Sequence, residues 1–380
     1  MAQRVYFDNG PQVAGLSFDN ALRVIRADTP DEVLPALLAM EQARAEGHWL
    51  AGAASYELGY MFSRKLTDLM PATRDIPLLQ FGVFTTPSSK RKAAPTDTAT
   101  LSAPVPDWTL DDYTTAFNTV KDYIGAGDIY QANLTFPLTC KRTGSLDALY
   151  AALQAKQSVP FGALVDLGGP ALLSRSPELF FSIDADRNIR ARPMKGTAPR
   201  GGTPEEDAAL AKWLQRSEKN RAENLMIVDL LRNDMSRISE IGSVKVPALF
   251  AVETYATLHQ MTSSISSKLV EGTSLTDIFR ALFPCGSITG APKIRAMQII
   301  HELEAGPRGA YCGAIGWIAP NGAMTFNVAI RTLAINGDHG MLGIGGGVVQ
   351  DSQVDSEYAE CLLKSRFFVR QPLELIETLR

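Results

Sequence analysis

Stretches with strand-like alternation and stretches with helical spacing follow one another along this chain without a regular beat. A doubly wound parallel sheet needs each strand to be followed by a crossover helix. Here strand-like runs come in groups, at 129–138, 162–165, 172–181 and 189–191, and again at 310–318, 323–335 and 341–349. Helical patterns fall at 205–236, 275–283, 292–304 and 354–368. The pattern predicts an α+β fold built on large sheets.

Residues 1–83 mix short strand-like runs with one clear helix. Val33, Leu34, Leu37, Leu38 and Met40 recur at helical spacing, Thr29-Pro30 is a start signal and Gly47 a stop. Residues 84–108 are polar and Pro-rich, which reads as a surface loop or linker. A second helix follows Trp108-Thr109 through Tyr113, Phe117, Val120 and Ile124 and stops at Gly125-Ala126-Gly127. The chain therefore divides into an N-terminal region with its linker, 1–108, and a larger part, 109–380, either as separate units or within one composite fold.

Composition narrows the class. Of 380 residues 45% are hydrophobic and 21% charged, which suits a globular protein with a large core. A net charge of -4 gives no basic excess for nucleic acid or an anionic membrane, so a small anionic substrate would be met by local positive charge. Cys140, Cys285, Cys312 and Cys361 are widely spaced without a zinc pattern and read as reduced, buried thiols of a cytosolic protein. The N-terminus lacks the apolar core of a signal peptide, and no apolar run is long enough to span a bilayer. The expectation is a soluble cytoplasmic protein with no nucleic-acid or membrane partner.

Several segments carry candidate chemistry. Lys195 lies in Pro193-Met194-Lys195-Gly196-Thr197, a turn-rich stretch in which no backbone rule demands a lysine. A partly dehydrated lysine amine that loses its proton is a nucleophile. Glu178, in Ser176-Pro177-Glu178-Leu179, sits among apolar residues, where a raised pKa would suit a general acid; a carboxylate at a strand edge is the alternative. The segment Asn220–Asp234 reads as a buried helix with Glu223 near its start and Asp229 and Arg232 inside it, as internal ion pairs or as metal ligands. Glu357, Glu360 and Lys364 share one helix face, as a solvated salt-bridged face or as a second acidic contribution. Mg²⁺ takes one or two protein carboxylates, and Glu223 with Glu360 is the natural pair.

The cluster Gly343–Gly347 does not fit a dinucleotide fingerprint, but consecutive glycines after a strand let backbone N–H groups approach an anion; a flexible turn is the alternative. Gly286–Lys293 lacks P-loop spacing. Arg331, in an apolar strand-like run, needs an anionic partner, either a substrate carboxylate or an internal acid. His259 is one of four histidines, and a lone histidine is more often packed than catalytic.

Taken in order, these segments resemble the chorismate-utilising enzymes. The matching pieces are Asp128-Ile129-Tyr130-Gln131-Ala132-Asn133-Leu134, Ser176-Pro177-Glu178, Lys195-Gly196-Thr197, Glu223 to Asp234, Gly290-Ala291-Pro292-Lys293, Arg308-Gly309-Ala310-Tyr311, Arg331, Gly345-Gly346-Gly347 and Glu357 to Lys364. The resemblance runs from about Tyr113 to Phe368, and Ser55 to Tyr60 looks like the N-terminal region of the aminodeoxychorismate-forming subgroup. It implies a composite chorismate-binding fold, two packed β-sheets flanked by helices. Within that family, Gln131 stands where the isochorismate and salicylate synthases have a water-activating lysine, and Lys195 stands where anthranilate synthases have alanine. Lysine there marks the subgroup that aminates chorismate at C4 on the route to 4-aminobenzoate and folate.

By this resemblance Lys195 is the nucleophile and Glu178 the general acid, and Glu223 and Glu360 hold Mg²⁺. Gly196, Thr197, Tyr311, Arg331, Lys364, His259 and the backbone of Gly345, Gly346 and Gly347 hold chorismate. Ammonia would come from a glutamine amidotransferase on a separate chain. The rival readings are an anthranilate synthase component I and a non-catalytic homologue that binds chorismate or an amino acid.

Overall fold

The computed structural model describes residues 3–10, 14–89, 95–255 and 258–368; residues 90–94 of the expected linker lie outside them. The fold is α+β, and the described residues form two large antiparallel sheets of ten strands each. In the first sheet the central order runs Gln131–Thr143, His339–Val348, Thr332–Asn336, Ala171–Ser176, Phe161–Asp166, Arg4–Asn9, Ala14–Asp19. In the second it runs Met194–Pro199, Leu258–Lys268, Asn188–Arg192, Leu179–Ile183, Met324–Val328, Ala314–Ile318, Trp49–Ala54, Leu79–Phe84, Arg23–Ala27. The described residues up to Phe84 thus supply two strands to one sheet and three to the other, and the short linker strands Thr100–Leu101 and Val105–Pro106 pair with Gln131–Thr143. Arg175, wholly buried, is ion-paired to Asp8 of the N-terminal strand, which locks that strand to its neighbours.

Helices cover the outer faces. Pro30–Ala45, Glu218–Ser236 and Leu275–Leu282 pack on the second sheet, and Leu110–Gly125, Leu146–Lys156 and Val354–Leu363 on the first. Val5, Phe7, Phe18, Phe84, Ile315 and Trp317 fill the space where the two sheets face one another. Each such side chain is worth about 1.5–3 kcal/mol on burial. Where this apolar filling gives way to polar side chains, the candidate site begins. All four cysteines are free and buried, and no described helix is long and apolar enough to cross a membrane.

The structure corrects the sequence reading at informative places. The run 172–181 is two strands, Ala171–Ser176 and Leu179–Ile183, because the chain changes sheet at Pro177, which has no N–H for a ladder. The run 323–335 likewise breaks at Arg331, a non-glycine residue at φ 50°. The helix 205–236 is two helices that meet at Ser217, whose side chain caps the second by accepting from Asn220 N. Asp229 and Arg232 are not buried within it; they pair on its solvent face at 2.8 Å. Gly343–Gly347 lies inside the strand His339–Val348, in keeping with the strand-like run 341–349 and against the flexible turn that its glycines offered as an alternative. The strand Leu258–Lys268 escaped notice because Gln260, Thr262, Ser263, Ser264, Ser266 and Ser267 mask any apolar alternation.

Candidate active site

Two crossings between the sheets lie side by side, and each delivers one charged group. Ser176-Pro177-Glu178 leads from the first sheet to the second, and Ala329-Ile330-Arg331 leads back. They are laced together: Val328 N donates to Glu178 O at 3.1 Å, Ser176 Oγ to Val328 O at 2.6 Å, and Arg175 N to Arg331 O at 2.9 Å. Glu178 is buried, and its Oε1 has no hydrogen-bond partner among the described residues. Burial pushes its carboxyl up to about 7, against the opposing pull of the Ser287 hydroxyl, Lys195, the Met194 amide and Arg331. Burial also draws Arg331 below its ordinary value, with Glu178 pulling the other way.

Lys195 comes from a bulge in the edge strand Met194–Pro199, not from a turn. Met194 pairs with Thr262 and Thr197 with Gln260, so the register slips by one residue between them. Gly196 takes φ 90°, open to glycine, and a Cβ there would stand 2.9 Å from Asn220 Oδ1. The bulge aims the half-buried lysine at the glycine strand. Its Nζ is 3.2 Å from where a Cβ on Gly347 would be, and Gln131 Nε2 is 2.8 Å from the same point. The missing side chain at 347 is what lets the amine and the amide approach the backbone. Gln131 is wholly buried, and neither polar atom of its amide has a partner among the described residues. An unsatisfied buried polar group costs about 1–3 kcal/mol. Two such groups beside one lysine make this spot a candidate for a ligand's polar atoms.

The acidic residues close the other side. Glu223, on Glu218–Ser236, is pushed up by burial and by Glu357 and Glu360, and eased down by Lys195 and Lys219. Glu360, on Val354–Leu363, is held below its usual range by Lys364, with burial opposing and Lys195 and Lys219 assisting. Lys364 bridges to Glu360 at 2.9 Å and donates to Gly345 O at 2.9 Å. Glu357 Oε2 would stand 3.2 Å from a Cβ on Gly346. Two helices more than a hundred residues apart in the chain therefore bring carboxylates to the neighbourhood of Lys195. No three or more His, Cys, Asp or Glu side chains among the described residues are gathered as a ready metal cage. A divalent cation here would draw on Glu223 and Glu360 and complete its shell with water and substrate oxygens.

Lys195, Glu178, Arg331, Glu223, Glu360, Lys364, Gly196 and Gly345 to Gly347 thus come together. Three other expected residues have contacts of their own. His259 is buried with both ring nitrogens engaged, 2.9 Å from Asp207 Oδ1 and 3.0 Å from Thr254 Oγ1. Tyr311 is buried, its ring fills the space that a Cβ on Gly343 would need, and burial pushes its hydroxyl well above the ordinary range. Thr197 is exposed at the bulge, and its hydroxyl is bonded to Gln260. The sequence reading missed Ser287 and Gln260: the first lay in a stretch weighed only as a phosphate loop, the second beside a histidine that drew the attention. A separate pocket of about 310 Å³ lies around Tyr56, Glu57, His301, Glu304 and Arg308 and holds none of the catalytic candidates.

A family model described as chorismate binding enzyme matches residues 86–370. The chain is 45% identical over 260 residues to an aminodeoxychorismate synthase of Streptomyces griseus, covering 68% of this chain and 36% of that protein. It is 44% identical over 270 residues to aminodeoxychorismate synthase component 1 of Escherichia coli K12, covering 70% of this chain and 59% of that one. These alignments therefore span between about a third and three-fifths of the curated relatives' length. Among solved structures, anthranilate synthase component I from Streptococcus pneumoniae superposes with a TM-score of 0.78 at 26% identity, covering 97% of this chain and 90% of that one.

Proposed function

The chain belongs to the chorismate binding enzymes, and from that premise we propose that it aminates chorismate at C4 to give 4-amino-4-deoxychorismate, as an aminodeoxychorismate synthase component I. The observation that carries this reading is Lys195 held between two unsatisfied buried groups, Gln131 and Glu178, and two carboxylate-bearing helices. A site that only bound chorismate would need no amine placed to attack it. A site that let ammonia attack C2 directly would have no use for that amine either.

The neutral amine of Lys195 forms a bond to C2 of the ring. The ring double bond shifts, the C4–O bond breaks, and Glu178 gives its proton to the departing oxygen, which leaves as water. Ammonia then bonds to C4, the double bond shifts back, and the C2–N bond breaks to return Lys195 as an amine. Glu178, left as a carboxylate, regains a proton from the newly attached nitrogen. Two allylic displacements account for amination at C4 without net inversion. Arg331 and the backbone beside Gly345 to Gly347 suit the substrate's carboxylates. Glu223 and Glu360 would hold Mg²⁺, whose charge would anchor a substrate carboxylate and draw electron density from the ring. A glutamine amidotransferase on a separate chain would supply the ammonia.

The test is direct. The purified chain is incubated with chorismate, Mg²⁺ and an ammonium salt, and products are identified by mass spectrometry. The expected product is 4-amino-4-deoxychorismate, with none formed from glutamine alone. Anthranilate fluorescence would return the chain to the anthranilate synthases, and tight chorismate binding without turnover would make it a binding homologue.

A further inference from the structure

The bulge that presents Lys195 is gripped by one side chain of the adjoining strand. Gln260, on Leu258–Lys268, pairs in register with Thr197. Its Nε2 donates to Gly196 O at 2.8 Å, and its Oε1 accepts the Thr197 hydroxyl at 3.1 Å. A bulge leaves its extra residue outside the ladder, so the Gly196 carbonyl relies on a side chain for its bond. From the other side Asn220 crowds Gly196 Cα, and Asn220 is itself fixed by donating Nδ2–H to Ser217 Oγ at 2.8 Å. Gly196 has the conformational freedom to swing and is held from both sides. Lys195 precedes it directly, so the Gly196 backbone sets where the amine stands.

We propose that Gln260 is a positioning residue that clamps the bulge so that the Lys195 amine reaches the ring before ammonia does. The inference rests on the C4-amination reading and deepens it: Gln260 touches the backbone that carries the nucleophile, and both ends of its amide are committed to that task. A misplacement of about 1 Å at a reacting group is worth about 100-fold in rate. Loosening the clamp lets ammonia compete at C2, where direct attack yields a different regioisomer. A residue that merely supports the fold would lower yield or stability and leave the ratio of the two products alone.

The test compares wild type, Lys195→Ala, Gln260→Ala and Gln260→Glu. The Glu variant keeps an acceptor for Thr197 and loses the N–H that serves Gly196, so it decides the matter if the Ala variant fails to fold. Two readouts are taken: the ratio of C4- to C2-aminated product with kcat and KM for chorismate, and acetylation of the resting protein by acetic anhydride, with Lys195 followed by peptide mass spectrometry. In Gln260→Ala, kcat for the C4 product falls about 10- to 100-fold. KM stays close to wild type, C2 product rises, and Lys195 is labelled several-fold faster than in wild type, with Gln260→Glu intermediate. Unchanged product ratio and unchanged Lys195 labelling in the folded variants overturn the clamp, whatever happens to the overall rate. If wild type forms no C4-aminated product, the reaction assignment fails instead, and the labelling arm still decides whether Gln260 holds Lys195 in place.

Discussion

Glu178 and Arg331 occupy the two adjacent places where the chain passes between the sheets, tied by the Ser176 hydroxyl and the Val328 amide. The backbones that carry the acid and the cation are therefore tied to one another. Burial keeps Glu178 near 7 although Arg331 and Lys195 both pull it down. Since a general acid acts in its protonated form, kcat should fall as pH rises through about 7. Replacing Arg331 with Gln removes a charge that favours the carboxylate, so that alkaline limb should move to higher pH. Glu178→Gln should lose about 10²- to 10⁴-fold in kcat. A kcat–pH profile checks all three; a flat profile between pH 6 and 9 would remove Glu178 as the acid.

Lys195→Ala deletes the proposed covalent step and leaves the carboxylates and Glu178 in place. The expected outcome is loss of 4-amino-4-deoxychorismate, with any residual amination moved to C2. Chromatography with mass detection distinguishes the regioisomers. A variant with the wild-type product and rate would show that the amine is not a nucleophile.

Glu57 makes a separate prediction about stability. It is buried, accepts from Arg308 N at 2.7 Å and Gly309 N at 3.1 Å, and burial raises it from 4.5 to about 7. A carboxyl raised in the folded state binds its proton more tightly there than in the unfolded chain. Its contribution is fully present below about 4.5 and is lost as pH rises through about 7. Glu57→Gln keeps an acceptor for the two amides and removes the titration. Its unfolding midpoint should therefore fall less than wild type's between pH 5 and pH 8, by up to a few kcal/mol in stability. Equal falls in urea midpoint for wild type and Glu57→Gln between the two pH values would contradict this.

Much of this was legible in the chain because local signals agreed with tertiary need. The helix at Pro30–Ala45 shows its Thr29 cap and leading proline, and the one at Leu110–Gly125 its Thr109 cap. Lys195, Glu178, Glu223 and Glu360 stand out as residues that packing alone does not demand. What stayed hidden depends on contacts between distant segments. No local pattern says that an apolar run continues into a different sheet, so the breaks at Pro177 and Arg331 read as continuous strand. The strand at 341–349 was legible although glycine weakens a strand, but not why glycines fill it: Tyr311, Gln131 and Lys195 need the space that side chains would fill. His259 reads by residue type as more often packed than catalytic and became a binding candidate only through the resemblance; its contacts to Asp207 and Thr254 fit the packed reading.

The paired acidic helices make the last prediction. Glu223 is raised chiefly by burial, with Lys195 and Lys219 drawing it down and Glu357 and Glu360 adding smaller upward pushes, whereas Lys364 holds Glu360 low. A divalent cation would favour the charged form of these carboxylates in the folded chain and has no such site in the unfolded one. Mg²⁺ at 100 times its dissociation constant should add about 2.7 kcal/mol to stability, seen as a rise in melting temperature. Glu223→Gln and Glu360→Gln each remove one proposed carboxylate ligand and should abolish most of that rise while the metal-free protein still melts cooperatively. Activity should vanish in EDTA and return with added Mg²⁺. A melting temperature indifferent to Mg²⁺ in wild type, with full turnover in EDTA, would take the metal out of the scheme and leave the two carboxylates as partners for Lys195, Lys219 and Lys364 alone.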